Sequence, residues 1–467
     1  MKGRKLHTGP LAAGMAFLAA FGFFQGAYPY HLMRREQLAL FVFDGDYIRQ
    51  TYRGGGCLVR LLSDFLEQFF RLPVAGPLLV ALLLTGIGWA VYRISRHFLG
   101  HGPSLVVAAL FFVWSFLRET SNVYITRYTL AVLAYLALLL TALQFRGRWQ
   151  QAAAALLLLG GGAWAIGAPF HPQYGKLWSV PKFPDERMIG LDVETARENW
   201  DKVLELSKVD LRMEEASYCY NLAHAMKGDL GDALLNHSQN HHYTLLFPVS
   251  SERTIFTNCL AGEAWFQLGD MTLAEQSAVT SLQASPQHTG ARFLLRLAQV
   301  NLITGEDAAA QKYLTLLDKT LFYGKWARSM MPGNQDDATR KALEGKRALL
   351  ARNDFVHSAG DPAQVLRGLL EAHPGNRPAR DYLLCLDLMS YNLDAFMEDY
   401  RPWPTAARLY HEACLIWLSQ HGILDPEHVA GLGVDVSTVD RMGRFGRNPS
   451  LFKNSYWYYY LEAMNAQ

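Results

Sequence analysis

Five stretches within the first 180 residues are apolar and almost free of charge, at about 10–28, 74–92, 103–117, 128–143 and 151–170. A helix needs about 20 such residues to cross the hydrocarbon of a bilayer, fewer where its ends are anchored at the interface. Each stretch therefore reads as a membrane span, that at 103–117 being the shortest. Residues 29–73 behave differently. Leu58, Leu61, Leu62, Phe65 and Phe69 recur at three- and four-residue spacing after a Gly54-Gly55-Gly56 hinge, which puts them on one side of a helix over about 57–70. Outside the bilayer such a helix is expected to lie flat in the interface. Beyond about 185 the pattern is again helical but amphipathic and broken by turns, and long alternating Val/Ile/Thr runs are absent. The expected fold class is all-α. A first transmembrane helix covers 1–28, an external loop 29–73, four further spans 74–170, a linker 171–184 and a helical-repeat domain 185–467.

The repeat is clearest in CLAGEAWFQLGDMTLAEQSAVTSLQASPQ. Gly262 and Trp265 fall on a first helix, Gly269 and Asp270 make an exposed turn, Ala274 and Ala278 fall on a second helix, and Pro286 closes it. The same spacing occurs 41 residues earlier at Gly228, Asp229 and Ala233, and 36 residues later at Gly305, Glu306 and Ala310, with a degenerate copy over 378–400. This grammar resembles the tetratricopeptide repeat. Small residues stand where paired helices touch, an aromatic fills the hole opposite, and Gly frees the turn. The resemblance implies an α-solenoid whose concave face binds an extended or helical segment of a protein or peptide partner. Trp457, Tyr458, Tyr459 and Tyr460, on a terminal helix, are expected to cap its last apolar face, or to dock at a membrane interface.

Charge divides the chain at nearly the same place. Residues 1–180 hold 16 Lys and Arg against 6 Asp and Glu, whereas 181–467 hold 28 against 36. The acidic second part argues against nucleic acid as a partner. Lys2, Arg4 and Lys5, then Arg93 and Arg96, then Arg146 and Arg148 mark one side of the five spans without an acid among them, and positive loops stay cytoplasmic. The amino terminus is thus expected inside, at the inner membrane, with 29–73 and the repeat domain in the periplasm. The six arginines of the 29–73 loop are offset by five acids and a length of about 45 residues.

That loop, YPYHLMRREQLALFVFDGDYIRQTYRGGGCLVRLLSDFLEQFF, also carries a family resemblance. Its tyrosine-rich opening followed by HL, EQ, LF and DY resembles an uncharacterised family of multi-pass membrane proteins of Bacteroides-type bacteria, strongest over 28–72. That family has no assigned activity, and its other members carry a larger membrane part. A second resemblance is to multi-pass lipid-linked glycosyltransferases, which place acids in the first external loop. It implies Asp44 and Asp46 as base or metal-holding carboxylates, with Glu36 third and Arg34 and Arg35 as phosphate partners. Against this stand the ordinariness of two acids in a loop and the small number of spans. The reading favoured is a non-catalytic scaffold, with membrane lipid and a protein or peptide as partners.

The remaining constellations are weak. His237, His241 and His242 have no carboxylate or cysteine nearby and read as a polar loop rather than a metal site. Arg118, Glu119 and Arg127 flank a short outer turn, where snorkelling to the membrane edge suffices. Cys219 and Cys259 occupy matching places in adjacent repeats and read as buried thiols, a disulfide being the alternative. No Walker loop, dinucleotide fingerprint, zinc-protease or nucleophile-elbow motif occurs, so no cofactor or metal is expected.

Overall fold

The computed structural model describes residues 8–121, 125–167, 179–237, 239, 242–285, 288–351, 361–402 and 406–466, and among these there are helices and turns but no strand. Two compact units form. The first comprises residues up to Ile189 together with Pro286–Leu294 and Leu314–Met331; the second comprises Gly190–Ser285, Leu295–Tyr313 and Pro332–Gln467. The units therefore do not follow a single cut near 184, because two short pieces of the second half belong to the first unit.

In the first unit α1 (Thr8–Gly22) continues through a π-helical turn to Ala27, and α2 (Tyr30–Leu38), α3 (Gly45–Thr51) and α4 (Cys57–Glu67) occupy the loop. The helices α5 (Ala75–Phe98), α6 (His101–Glu119), α7 (Ile125–Ala142) and α8 (Arg148–Ile166) follow, in the places the apolar stretches predict. Thr8–Ala27, Ala75–Phe98 and His101–Glu119 are long and apolar enough to cross a membrane, Thr126–Ala142 is apolar but shorter, and α8 opens on Arg148, Gln150 and Gln151. Residues 168–170 of the fifth expected span lie outside the described residues. Helices α1, α6 and α7 all pack on α5, and α8 pairs with α7. A Cβ at Gly162 would come within 2.8 Å of Leu138 Cδ1, so α7 and α8 pack closely at that glycine.

This unit has an apolar core around α5, with Phe24, Val80, Leu84 and Ile87 buried, but unlike a soluble bundle its outer faces are apolar as well. Leu11, Met15 and Leu18 on α1, Val106, Leu110 and Val113 on α6, and Leu156 and Leu157 on α8 are all more than half exposed. On α1 and α6 the three- and four-residue spacing makes them outward stripes. Ser104, Ser115, Arg118, Glu119, Thr126 and Thr129 are buried. Arg118 does not snorkel: its guanidinium lies over the Trp114 and Tyr128 rings, 5.0 and 4.7 Å from their centroids, because the adjoining helices offer it a π-face inside the bundle.

In the second unit the helices pair: α10 (Trp200–Ser207) with α11 (Glu214–Lys227), then α11 with the short α12 (Leu230–Ala233), and α13 (Ile255–Leu268) with α14 (Met271–Ala284). Helix α9 (Phe183–Ala196) precedes them, and α15 (Ala291–Thr304) and α16 (Asp307–Asp318) follow. Gly228 and Gly269 end their helices at φ of 80° and 105°, the left-handed region that glycine enters without strain. A Cβ at Gly262 would lie 2.3 Å from Ser277 Oγ, so α13 and α14 meet at that glycine, and Trp265 is 1% exposed. Both are as the sequence predicts. Asp270 departs from expectation: it is buried, not exposed, and accepts the Leu273 N–H at 2.8 Å as the N-cap of α14. Pro286 lies outside the described residues.

Beyond α17 (Gly324–Met330) and α18 (Asp337–Arg347), α19 (Pro362–Ala372) pairs with α20 (Arg377–Met389), and α20 with α21 (Leu393–Asp399). Helix α20 then lies against α11, α12 and α13, so these pairs close on one another rather than continuing in a single row. Asn376 ties that return: it caps α20 and donates to the last turn of α13 at Leu268 O, 2.8 Å away. Helices α22 (Arg408–Gln420), α23 (Pro426–Gly431), α24 (Val436–Phe445) and α25 (Tyr456–Ala466) complete the unit. The terminal aromatics do cap it. Tyr456 and Trp457 are buried, Tyr456 donating to Leu388 O and Trp457 Nε1 to Glu412 O, while Tyr459 stacks on Tyr391. No disulfide forms among the described residues: Cys219 and Cys259 are buried thiols, the latter 3.9 Å from Ser281 Oγ. His237 packs its ring on Tyr220, and His241 lies outside the described residues.

Candidate functional site

The loop after the first apolar helix is the densest polar structure in the first unit. Pro29 opens α2 but has no side chain that can cap it, leaving the first N–H groups unsatisfied. Glu186 supplies the missing cap from 155 residues away, its carboxylate accepting the Tyr30 N–H and, at 3.2 Å, the His31 N–H. The His31 imidazole, 2% exposed, lies against the Tyr28 ring at 4.5 Å and places Nδ1 3.5 Å from Glu186. Burial raises the Glu186 carboxyl to about 7 and, with Arg35 nearby, holds His31 well below its ordinary value.

One turn further, Arg35 spreads its guanidinium over the junction of α6 and α7. It donates to the Glu119 carboxylate at 2.7 Å and to the carbonyls of Glu119 and Ser121 at 3.0 and 2.9 Å. Thr129 donates to the other Glu119 oxygen at 2.7 Å. Helix α4 turns its polar face inward to the same region. Asp64 accepts from Arg127 at 3.0 Å and from the Tyr52 hydroxyl at 3.0 Å, and Ser63 donates to Glu67. Burial, with Asp64 beside it, raises Glu67 to about 7. The opposite face of α4 leaves Leu58 and Leu62 exposed, whereas Phe65 and Phe69 turn to Phe41, Phe43 and Phe322.

The five positions nominated from sequence diverge. Glu36 is buried and accepts the Tyr323 hydroxyl at 2.7 Å, with Arg71 over the same ring at 4.2 Å. Asp44 caps α3 through the Asp46 and Tyr47 N–H groups and pairs with Lys319 at 2.7 Å, which holds its carboxyl below the usual range. Asp46 is exposed, Arg34 is half-buried on α2, and Arg35 is engaged as described. Around them the chain adds backbone bonds, Phe43 N to Lys319 O at 2.8 Å and Ala291 N to Ala39 O at 3.0 Å. Among the described residues no group of three His, Cys, Asp or Glu side chains is arranged to hold a metal ion. The arrangement is a fastening: α2 gathers Glu186, Glu119 and Tyr323 from three distant parts of the chain.

Asp64, Glu67, Glu119 and Glu186 were not singled out as site residues by sequence. The i, i+1, i+4 spacing of Ser63, Asp64 and Glu67 marks a polar face opposite the leucines, which is the signal that could have found the first two. Nothing local marks Glu186.

The chain belongs to a family of unknown function, DUF6057, whose model matches residues 4–173 and 170–463. No curated protein and no solved structure matches it.

Proposed function

We propose that this is a multi-pass protein of the cytoplasmic membrane, crossing it five times with its amino terminus inside, and that its tetratricopeptide-like region is a non-catalytic scaffold for a protein or peptide partner at the cell envelope. The observation that carries the membrane reading is the apolar outer surface of the first unit. Bare stripes of Leu, Val and Met face outward from α1 and α6, and Leu156 and Leu157 from α8, while several arginines, carboxylates and threonines are buried within. Water would expel such stripes; hydrocarbon accepts them, and in hydrocarbon the polar groups must satisfy each other inside. The exposed leucines of α4, with its polar face turned inward, suit a helix at the interface of that bilayer.

The scaffold reading is supported by what the loop residues do. Asp44 and Glu36 are committed to a helix cap, an ion pair and a tyrosine hydroxyl, where a general base needs reach to a substrate. The alternative, a glycosyltransferase-like enzyme using Asp44 and Asp46, is separated by substituting both with Asn. A scaffold keeps its partner and cellular phenotype; an enzyme loses the phenotype. Orientation is tested with a periplasm-active reporter, active when fused after Gln467 and silent after Arg148. The reverse pattern would overturn the five-span topology.

A further inference from the structure

Helices α1 and α6 both pack along α5 and meet each other near their two ends. At one end Thr8 Oγ1 lies 2.6 Å from His101 Nε2, and His101 Nδ1 lies 2.9 Å from the Tyr92 hydroxyl. At the other, the Phe116 ring packs on Phe23 and Phe24 with centroids 4.9 and 5.4 Å apart. Between these closures a cleft of about 150 Å³ opens over α5. Ala12, Ala13 and Ala16 form one wall, Ala109 and Phe112 the other, and Trp89 stands on α5 between them. The α1 lining runs from Gly9 to Ala16, which at about 1.5 Å per residue is about 10 Å, about a third of a span. The cleft therefore occupies the third of the bundle nearest Tyr92.

That end is cationic. Arg96 donates to the Tyr92 hydroxyl at 2.8 Å, Arg93, His97 and His101 surround it in sequence, and no Asp or Glu occurs between residues 68 and 118. We propose that the cleft binds one acyl chain of an anionic phospholipid from the leaflet on the Arg96 side, with the phosphate held by Arg96 and Arg93. The inference rests on the membrane reading above. An apolar slot facing hydrocarbon has little to offer water, since its lining is almost wholly carbon. A second helix, about 10 Å across, is too thick for a slot bridged at both ends. A segment of an alkyl chain, about 10 Å of its length, fits it, and guanidinium groups at its mouth match a phosphate in charge and geometry.

The test is native mass spectrometry of the full chain released from detergent after equilibration with equimolar phosphatidylglycerol and phosphatidylcholine. One retained phosphatidylglycerol, at least fivefold over phosphatidylcholine, is expected. Ala13→Leu with Ala109→Leu should reduce that adduct at least fivefold, and Arg96→Gln should erase the headgroup preference. Equal retention of both lipids by the parent, or an adduct unchanged by filling the slot, would overturn the proposal. So would a two-chain species lost on filling the slot, which would make the occupant a second copy. Should the filled variant fail to fold, the parent decides alone: brominated phosphatidylglycerol should quench the emission lost in Trp89→Phe, and absence of that quenching would overturn the proposal. Carbonate extraction of membranes separates the two readings. A chain released by carbonate refutes the membrane assignment, and a retained chain without the adduct refutes the cleft alone.

Discussion

Arg35 and Glu119, 84 residues apart in sequence, meet at 2.7 Å with side chains 10% and 2% exposed, and the same guanidinium also holds two carbonyls where α6 gives way to α7. A buried pair of this kind adds little net stability over an apolar replacement, but breaking it leaves a charge without its partner.

Arg35→Ala is therefore expected to cost about 3–5 kcal/mol, and Arg35→Met with Glu119→Leu to cost less than the single change. Arg35→Lys should not restore the parent, because an ammonium cannot reach three acceptors as a planar fork does. Thermal melting in detergent ranks the four proteins. An Arg35→Ala variant that melts with the parent would mean that α2 does not fasten the bundle.

Asp44 is assigned to a helix cap and an ion pair. Asp44→Asn should keep most of the cap, since an amide oxygen also accepts N–H bonds, and Asp44→Ala should cost about 1 kcal/mol. Asp46→Ala, at an exposed site, should stay within about 0.5 kcal/mol. Cells carrying Asp44→Asn are expected to behave as the parent, and a complete loss of phenotype at parental protein levels would favour the enzymatic alternative.

In the second unit, Gly262 and Ser277 provide a double-mutant cycle. Gly262→Ala thrusts a methyl group at Ser277 and should cost about 1–3 kcal/mol. Ser277→Gly should relieve part of that clash, so that the double variant is more stable than the sum of the two single losses. Trp265→Ala should open a cavity costing about 3–5 kcal/mol, and the buried cap Asp270→Ala about 0.5–2 kcal/mol. Strict additivity in the Gly262–Ser277 cycle would mean that α13 and α14 do not touch there.

Glu186 gives a pH dependence whose sign is fixed by its burial. Its carboxyl titrates near 7 when folded, against an ordinary value near 4.5. Between these pH values the folded protein binds the extra proton, so this group's contribution is full below about 4.5 and declines as pH rises through 7. His31 has the opposite sign, since its depressed value favours the folded state as pH rises toward 6.5. Because His31 Nδ1 lies 3.5 Å from Glu186, the His31 slope is removed from the comparison by making both proteins in a His31→Gln background. The melting temperature of His31→Gln relative to His31→Gln with Glu186→Gln should accordingly fall between pH 5 and pH 7.5; a difference that is flat or rises with pH would contradict the buried cap.

The helices were legible because their signals are local. Apolar runs located α1 and α5 through α8 with ends off by up to about six residues, and Gly228, Gly262, Trp265 and Gly269 marked two helix pairs and the contact point of one. The return of α20 to α11 and α13 was not legible, because it depends on Asn376 meeting a carbonyl 108 residues away. For the same reason the loop could be recognised as special while the partners of its charged residues could not be read. Asp44 and Asp46 look like a catalytic pair in one dimension, but the first closes a helix and the second faces outward. Two of the buried acids, Glu119 and Glu186, draw their meaning from Arg35 and from an uncapped helix that follows a proline.

The central claim, that the outward apolar stripes of the first unit face hydrocarbon while its polar groups face inward, is tested most directly by spin labels at Leu18, Leu110 and Leu157 of the full chain in lipid vesicles, with the half-exposed Cys57 replaced by Ser. All three labels should collide readily with oxygen and scarcely with a water-soluble nickel chelate, whereas a label at exposed Asp46 should show the reverse. Nickel accessibility at Leu110 and Leu157 equal to that at Asp46 would contradict the account.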